Sequence, residues 1–159
     1  KMKNYEFWFV VGSQTLYGEE VLRTVAARAR GNGAEAFCRS ALSLKYKVTA
    51  KSNAEILDVV KEANYNDACA GIVTWCHTFS PPRCGSTAWS CSRSRGATSP
   101  TQYNREIPNE EIDMDFMNLN QAAHGDREHG FIGAACALRA RSLPVTGRTA
   151  MYRSVWPAG

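Results

Sequence analysis

The sequence has 159 residues, of which 44% are hydrophobic and 21% charged, a composition typical of one globular domain with its own core. No apolar run approaches the roughly 20 residues that cross a bilayer, and Glu6 interrupts the first apolar run, so we expect a cytoplasmic protein with no signal peptide and no membrane partner. The six cysteines include no two that are separated by two residues, which indicates neither a zinc ribbon nor a secreted disulfide framework.

The first two predicted elements are a strand and a helix. Residues 6–11 form a compact apolar run, which predicts a strand, and residues 12–18 form a turn-rich loop that opens a helix over about residues 19–30. Glycines flank this loop, but no Gly-Lys-Ser or Gly-Lys-Thr follows and the dinucleotide fingerprint is missing. The glycines therefore indicate turn geometry, and we set nucleotide binding aside.

Two further strands enclose a second helix. Residues 46–49 predict a short strand, after which Ser52 and Glu55 form a capping box, in which each side chain can accept a backbone N–H at the helix start. Residues 70–75 predict a continuous apolar strand, as expected when both faces of a sheet are covered. The intervening helix carries apolar residues at helical spacing, namely Ile56, Val59, Val60 and Ala63.

Three strand–helix units in succession predict an α/β fold with a parallel sheet. Function in such sheets gathers at the carboxyl ends of the strands, where the loops 12–18 and 76–81 would meet. Their most useful side chains are Gln14, Tyr17 and His77. Each of the three also has a purely structural interpretation. Gln14 would be an exposed polar residue, Tyr17 a half-buried aromatic ring and His77 a hydrogen-bonded scaffold histidine.

The formal charge of +4 is concentrated in two segments. Residues 81–100 hold three arginines and residues 134–159 hold four, and neither segment has an acidic residue. Residues 81–100 also lack Leu, Ile, Val and Met, so we expect no strand or amphipathic helix there and a sheet with an unpaired edge. Our hypothesis is that both segments, and more weakly residues 30–42, are frame-shifted translations. The alternative is a disordered basic linker and tail that contact phosphates non-specifically.

The least ordinary stretch lies between these two segments. Ile112, Phe116 and Leu119 form one apolar helical stripe, and a dense polar run follows at residues 118–129, which predicts a solvent-facing cleft. A short helix would deliver Gln121 and His124 to one edge, because residues three apart face the same way. The alternative is that His124 and His129 are surface residues. Five residues apart, they make a poor zinc pair.

Four runs of the sequence resemble bacterial L-arabinose isomerases, and they occur in the same order and at about the same spacing as in that family. They are YEFWFVVGSQTLYGEE at 5–20, CAGIVTWCHTFSP at 69–81, TQYNREIP at 101–108 and IDMDFMNLNQAAHGDREHGFIG at 112–133. Cys76 stands where the family leads us to expect methionine. The resemblance therefore identifies residues 1–133 as the N-terminal α/β domain of such an enzyme, with 81–100 aberrant and 134–159 an aberrant basic tail.

The resemblance implies a fold, an activity and an assembly. The fold would be a flavodoxin-like, Rossmann-like parallel sheet, incomplete here, in a subunit of a homo-hexamer. The activity would interconvert L-arabinose and L-ribulose, and D-galactose and D-tagatose, through a metal-bound enediol, with Mn²⁺ as the cofactor. The family's metal ligands and acid–base pair lie beyond this chain, so we expect no metal site, no catalytic residue and no activity in it.

The same resemblance assigns the site residues. They would hold sugar hydroxyls in the active site of a neighbouring subunit, and they are Gln14, Leu16, Tyr17, Gln121 and His124. Two alternatives come from other classes, a non-catalytic sugar-binding module and a basic nucleic-acid binder. Because residues 81–100 offer only Trp89 for base stacking, we expect no nucleic-acid partner.

Overall fold

A computed structural model of the chain contains five strands and five helices with defined bounds, one of them a 3₁₀ helix, among the residues it describes. These residues are 4–37, 43–78, 88–89, 91–93, 95–98, 103–104, 112–135 and 140–142. The strands are β1 (Glu6–Gly12), β2 (Ser43–Ala50), β3 (Cys69–Cys76), β4 (Arg95–Thr98) and β5 (Ala140–Ser142). The helices are the 3₁₀ helix Thr15–Tyr17, α1 (Gly18–Phe37), α2 (Asn53–Tyr65), α3 (Met114–Asn118) and α4 (Ala122–Ala135).

The five strands form one sheet in the order β2-β1-β3-β4-β5, and every neighbouring pair is parallel. This is the flavodoxin-like strand order, with its switch point between β1 and β3. The register brings Gly12 opposite both Ala50 and Cys76, so three strands end at the same level. The predicted α/β fold is confirmed.

Alternating side chains of β1 and β3 build two cores, one on each face of the sheet. On one face, the central strands pack against α1 through Phe9, Val11, Val25, Ala29, Val73 and Trp75. On the other face, they pack against α2, Trp89 and Ile132 of α4 through Trp8, Val10, Val59, Val60, Ala63 and Ile72. Both faces are covered, which explains why the strands read as continuous apolar runs. No helix in the described ranges is long and apolar enough to cross a membrane.

Helix α2 begins with the predicted capping box, with one difference. The Ser52 hydroxyl accepts the backbone N–H of Glu55 at 3.3 Å, as expected. The Glu55 carboxylate accepts the backbone N–H of Lys51 at 2.7 Å. In a standard capping box it would accept the N–H of Ser52, one residue later. Both local bonds still satisfy donors at the helix start, so this boundary was readable from the sequence.

Helix α1 is longer than predicted, since it runs through Gly31 to Phe37 where the sequence indicated an end near Arg30. A glycine costs a helix interior only about 1 kcal/mol, and the following Ala, Glu and Ala are good helix formers. The hypothesis of a frame shift over residues 30–42 falls partly outside the described residues, at 38–42.

The expectation that residues 81–100 supply no strand is wrong. Strand β4 pairs with β3 from Gly71 opposite Arg95 to Thr74 opposite Thr98, and β5 pairs with β4 in turn. A parallel ladder uses only backbone groups, so a segment without large aliphatic residues can still extend the sheet. The edge of β3 is therefore covered over these four residues. Over the described residues, β4 and β5 are short, with four and three residues.

The same segment also contributes to the core. Ala88 and Trp89 are helical and buried, at 5% and 8% exposure. The Asn64 side chain on α2 donates to the Cys91 carbonyl at 2.9 Å and accepts the Arg93 N–H at 2.7 Å. One amide therefore attaches this segment to α2. Residues 79–87, 105–111 and 143–159 lie outside the described residues, and the frame-shift hypothesis for both segments stays a prediction.

Asn64→Ala is expected to destabilise the domain by about 1–2 kcal/mol, because two hydrogen bonds to the backbone of residues 91–93 are lost together. The measurement is urea unfolding followed by circular dichroism, with Lys61→Ala as the matched control on an exposed position of the same helix. Equal midpoints for the two variants would show that the Asn64 bonds contribute nothing to stability.

Candidate functional site

Three strand ends meet at the switch point and are joined by hydrogen bonds. Ser13 follows β1 and Thr78 lies just beyond β3, and both are fully buried. The Thr78 hydroxyl donates to the Ser13 hydroxyl at 2.8 Å, and the Ser13 N–H donates to the carbonyl of Ala50, the last residue of β2, at 3.0 Å. The crevice at the carboxyl ends of β1 and β3 thus has a rigid floor, at the position where ligands bind in such sheets.

The first loop leaves this floor directly. Gln14 is extended, the 3₁₀ helix Thr15–Tyr17 follows, and Gly18 has a φ of 80°, which a glycine adopts without strain. Gln14 and Tyr17 are half-buried. Leu16 is 71% exposed, so its side chain is accessible to a ligand or another subunit.

His77 lies at the centre of the site. Its ring is 1% exposed, stacks on Trp75 with 4.5 Å between centroids, and meets Tyr103 at 5.6 Å. Its Nε2 lies 3.2 Å from Nη1 of Arg28. Burial, reinforced by the Arg28 charge, lowers the pKa of His77 to about 3, so the ring stays neutral near pH 7. These contacts favour the scaffold interpretation of His77 over a role as proton donor.

Gln121 and His124 are brought to the same place, but not by one helix. Gln121 lies in the break between α3 and α4, and its N–H donates to the His77 carbonyl at 3.3 Å. The His124 N–H then donates to the Gln121 carbonyl at 3.2 Å in the first turn of α4. The prediction of a single short helix is therefore wrong.

The break has a local cause. The Asn120 side-chain amide donates to the Phe116 carbonyl at 2.8 Å, which satisfies a carbonyl at the end of α3 that a continuing helix would have used. At the start of α3, the Asp113 carboxylate accepts the Phe116 N–H at 2.7 Å, in agreement with the acidic helix start that the sequence indicated. Side-chain bonds therefore delimit α3 at both ends.

The polar run 118–129 is more buried than predicted. The His124 side chain is 23% exposed, and its Nε2 lies 3.8 Å from Oε1 of Glu128. His129 makes an edge contact with Trp89 at 5.8 Å between ring centroids, and burial lowers the pKa of His129 to about 4. Both histidines are half-buried, so the alternative that both are surface residues is wrong: Gly125, next to His124, lies against Cys76 of β3, and His129 lies against Trp89.

A second feature lies behind the site, on the opposite face of the sheet. A cavity of about 20 Å³ is bounded by Trp89, His129, Thr74 and Cys76, among others. The Nε1 of Trp89 is buried and has no hydrogen-bond partner among the described residues. The volume suffices for about one water molecule and is too small for a sugar.

The structure therefore links the five predicted site residues through one dipeptide. His77 holds Gln121 and, through it, His124, while Thr78 holds Ser13 at the start of the loop that carries Gln14, Leu16 and Tyr17. The sequence interpretation missed Arg28, although its position between Val25 and Ala29 placed a cation at the edge of a buried helix face. Within the described ranges, no three His, Cys, Asp or Glu side chains come close enough to hold a metal ion.

A family model for the L-arabinose isomerase N-terminal domain matches residues 1–150. The chain belongs to the L-arabinose isomerase family. The L-arabinose isomerase of Bacillus subtilis is 47% identical over 142 residues, which cover 86% of this chain and 28% of that enzyme. Those of Thermotoga neapolitana and Anoxybacillus flavithermus are 46% and 49% identical over 140 and 135 residues, which cover 86% and 84% of this chain.

The chain thus spans between a quarter and a third of the length of the L-arabinose isomerases it matches. The resemblance seen in the quoted runs is confirmed, and the region described above corresponds to the N-terminal domain of the L-arabinose isomerase family. The family match continues through residues 81–100, where the structure has β4.

Proposed function

We propose that this chain is the sugar-binding N-terminal part of an aldose–ketose isomerase that interconverts L-arabinose and L-ribulose, and D-galactose and D-tagatose. The observation that carries the proposal is the anchoring of both predicted sugar-contacting segments on His77 and Thr78, in a chain of the L-arabinose isomerase family. In this proposal the intact enzyme is a cytoplasmic homo-hexamer, and the N-terminal domain completes the active site of a neighbouring subunit.

The chemistry of the five residues suits a sugar. Gln14 and Gln121 each offer an amide that can donate to one hydroxyl and accept from another, while Tyr17 and His124 can do either. Leu16, the exposed residue of the set, can lie against the C–H groups of a sugar ring. We assign all five residues to binding and orienting the sugar and none of them to proton transfer.

The proposed cofactor Mn²⁺ does not fit the residues that the structure describes. Manganese favours carboxylate and imidazole ligands, and the described part of the chain brings no three such groups together. On the family resemblance, we propose that the metal ligands and the proton-transferring carboxylate lie in the part of the family's length that this chain does not span.

The isolated chain is expected to form no ketose from L-arabinose or D-galactose in the presence of Mn²⁺, because the proposal places the proton-transferring groups outside it. The measurement is a ketose assay over a long incubation, with an intact family enzyme as the positive control. Turnover that persists after repurification of the chain would contradict the proposed division of roles.

Sugar binding by the same chain tests the proposed sugar-binding role of this domain. It also tests the alternative of a non-catalytic sugar-binding module. L-arabinose is expected to shift the backbone amides of Gln14 and Gln121 saturably in a ¹H–¹⁵N NMR titration. Gln14→Ala should weaken this binding, whereas Lys61→Ala on the exposed face of α2 should leave it unchanged. Shifts that do not saturate would remove the sugar-binding role from this chain.

A further inference from the structure

Arg28 lies outside the five predicted sugar contacts, yet two aromatic groups of the site converge on it. Its Nη1 is 3.2 Å from Nε2 of His77, and its guanidinium carbon lies 4.2 Å from the centre of the Tyr103 ring. A cation over an aromatic face is attractive, and the planar guanidinium can make this contact and donate a hydrogen bond at the same time. Helix α1 thereby reaches the end of β3 and the segment that carries Tyr103.

The Arg28 contact determines the tautomer of His77. A guanidinium has only N–H donors and stays protonated, so the Nε2 that faces it must be an acceptor. The ring proton of the neutral imidazole is therefore on Nδ1. Trp75 stacks on the ring at an interplanar angle of 11°, so the contact with Arg28 and the stacking together leave His77 one orientation.

That orientation matters because the backbone of the same residue holds the second sugar-contacting segment. The His77 carbonyl accepts the Gln121 N–H, and the Gln121 carbonyl accepts the His124 N–H. We propose that Arg28 is a positioning residue, which acts through His77 to hold Gln121 and His124 in place beside the first loop. This inference rests on the proposed sugar-binding function for its consequence, while the positioning itself can be measured without sugar.

The tautomer is tested first, on the unaltered chain. Two-bond ¹H–¹⁵N NMR spectra of the imidazole distinguish the protonated from the bare ring nitrogen. The expected result at pH 7 is a proton on Nδ1 of His77 and an unprotonated Nε2. A proton on Nε2 would overturn the proposal, because that nitrogen could not accept from Arg28.

Arg28→Leu tests whether the contact positions Gln121. The variant should lose the fixed His77 tautomer and speed exchange of the Gln121 amide proton by about tenfold, the effect of weakening one hydrogen bond by 1.4 kcal/mol. Arg23→Leu removes an exposed cation from the same helix and should change neither property. Exchange of Gln121 that is equal in the two variants would overturn the proposal.

Arg28→Lys separates positioning from general stability and serves as the test if the leucine variant does not fold. Lysine keeps a cation and one donor but loses the planar contact with Tyr103, so it should retain the His77 tautomer and restore most of the Gln121 protection. Loss of both in a folded Arg28→Lys variant would show that charge and hydrogen bonding are not what hold Gln121, and would overturn the proposal.

L-arabinose binding is then measured on the same samples. Arg28→Leu should weaken L-arabinose binding while Arg23→Leu leaves it unchanged. If the tautomer and Gln121 results are as expected and neither chain binds L-arabinose, the proposed function fails and the positioning role stands. If L-arabinose binds equally well to both variants, Arg28 does not position the sugar contacts and the inference fails while the proposed function stands.

Discussion

Gly125→Ala is expected to destabilise the domain by about 3 kcal/mol, the upper end of the 1–3 kcal/mol that overpacking a core typically costs. A Cβ at this position would overlap both Cβ and Sγ of Cys76, at the end of β3. Neither group can move away cheaply, because Cys76 is fully buried in the central strand of the sheet. Helix α4 would have to shift, and His124 one residue earlier would shift with it.

The chain offers a matched control on the same helix. Gly130 has no atom within 4 Å of the position that a Cβ would occupy, so Gly130→Ala should stabilise the domain by up to about 1 kcal/mol through helix propensity. Thermal or urea unfolding of the two variants measures the difference. Cys76→Gly in the Gly125→Ala background removes both overlapping atoms and should recover part of the loss. Two variants of equal stability would disprove the close contact.

Acidification from pH 7 to pH 5 is expected to cost the domain about 4 kcal/mol of unfolding free energy, about 2 kcal/mol from each of two histidines. Burial holds the pKa of His77 at about 3 and that of His129 at about 4 in the folded chain, against 6.5 for an ordinary histidine. The unfolded state therefore binds protons first. This stability is fully present above about pH 6.5 and is lost progressively as the pH falls toward 4.

Urea unfolding at half-unit steps between pH 7 and pH 5 measures this slope, in a range where most carboxylates stay ionised. His129→Phe keeps an aromatic ring beside Trp89 but removes one titrating group, so it should reduce the slope by about half. A wild-type chain whose unfolding free energy does not change over this range would contradict the buried, neutral state of both rings.

The structural features behind these two effects differ in whether the sequence predicts them. The strands around His77 could be predicted because β1 and β3 are apolar runs, and the Ser52 cap because its partners lie within four residues along the chain. The overlap of Gly125 with Cys76 joins residues 49 positions apart, and the sequence carries no local trace of it. Nothing in the pattern of α4 distinguishes Gly125 from Gly130.

The candidate site divides in the same way. Gln14, Leu16, Tyr17, Gln121 and His124 were assigned by resemblance to a family, and the chemistry of the residues alone left them open. The structure adds how they are held: the bonds from Thr78 to Ser13, from Gln121 to His77 and from Arg28 to His77. Each of these pairs is separated by more than 40 residues, so spacing could not predict them.

Local signals were therefore enough for the α/β class, the first three strands and the start of α2, because periodicity and caps act between near neighbours. Contacts between distant segments determined the rest. Pairing with β3 made a strand of Arg95–Thr98 despite its composition, and packing against Trp89 partly buried His129 in a run that reads as polar. Backbone pairing and burial depend on which residues lie opposite each other in the folded chain. The residues adjacent in sequence do not determine those contacts.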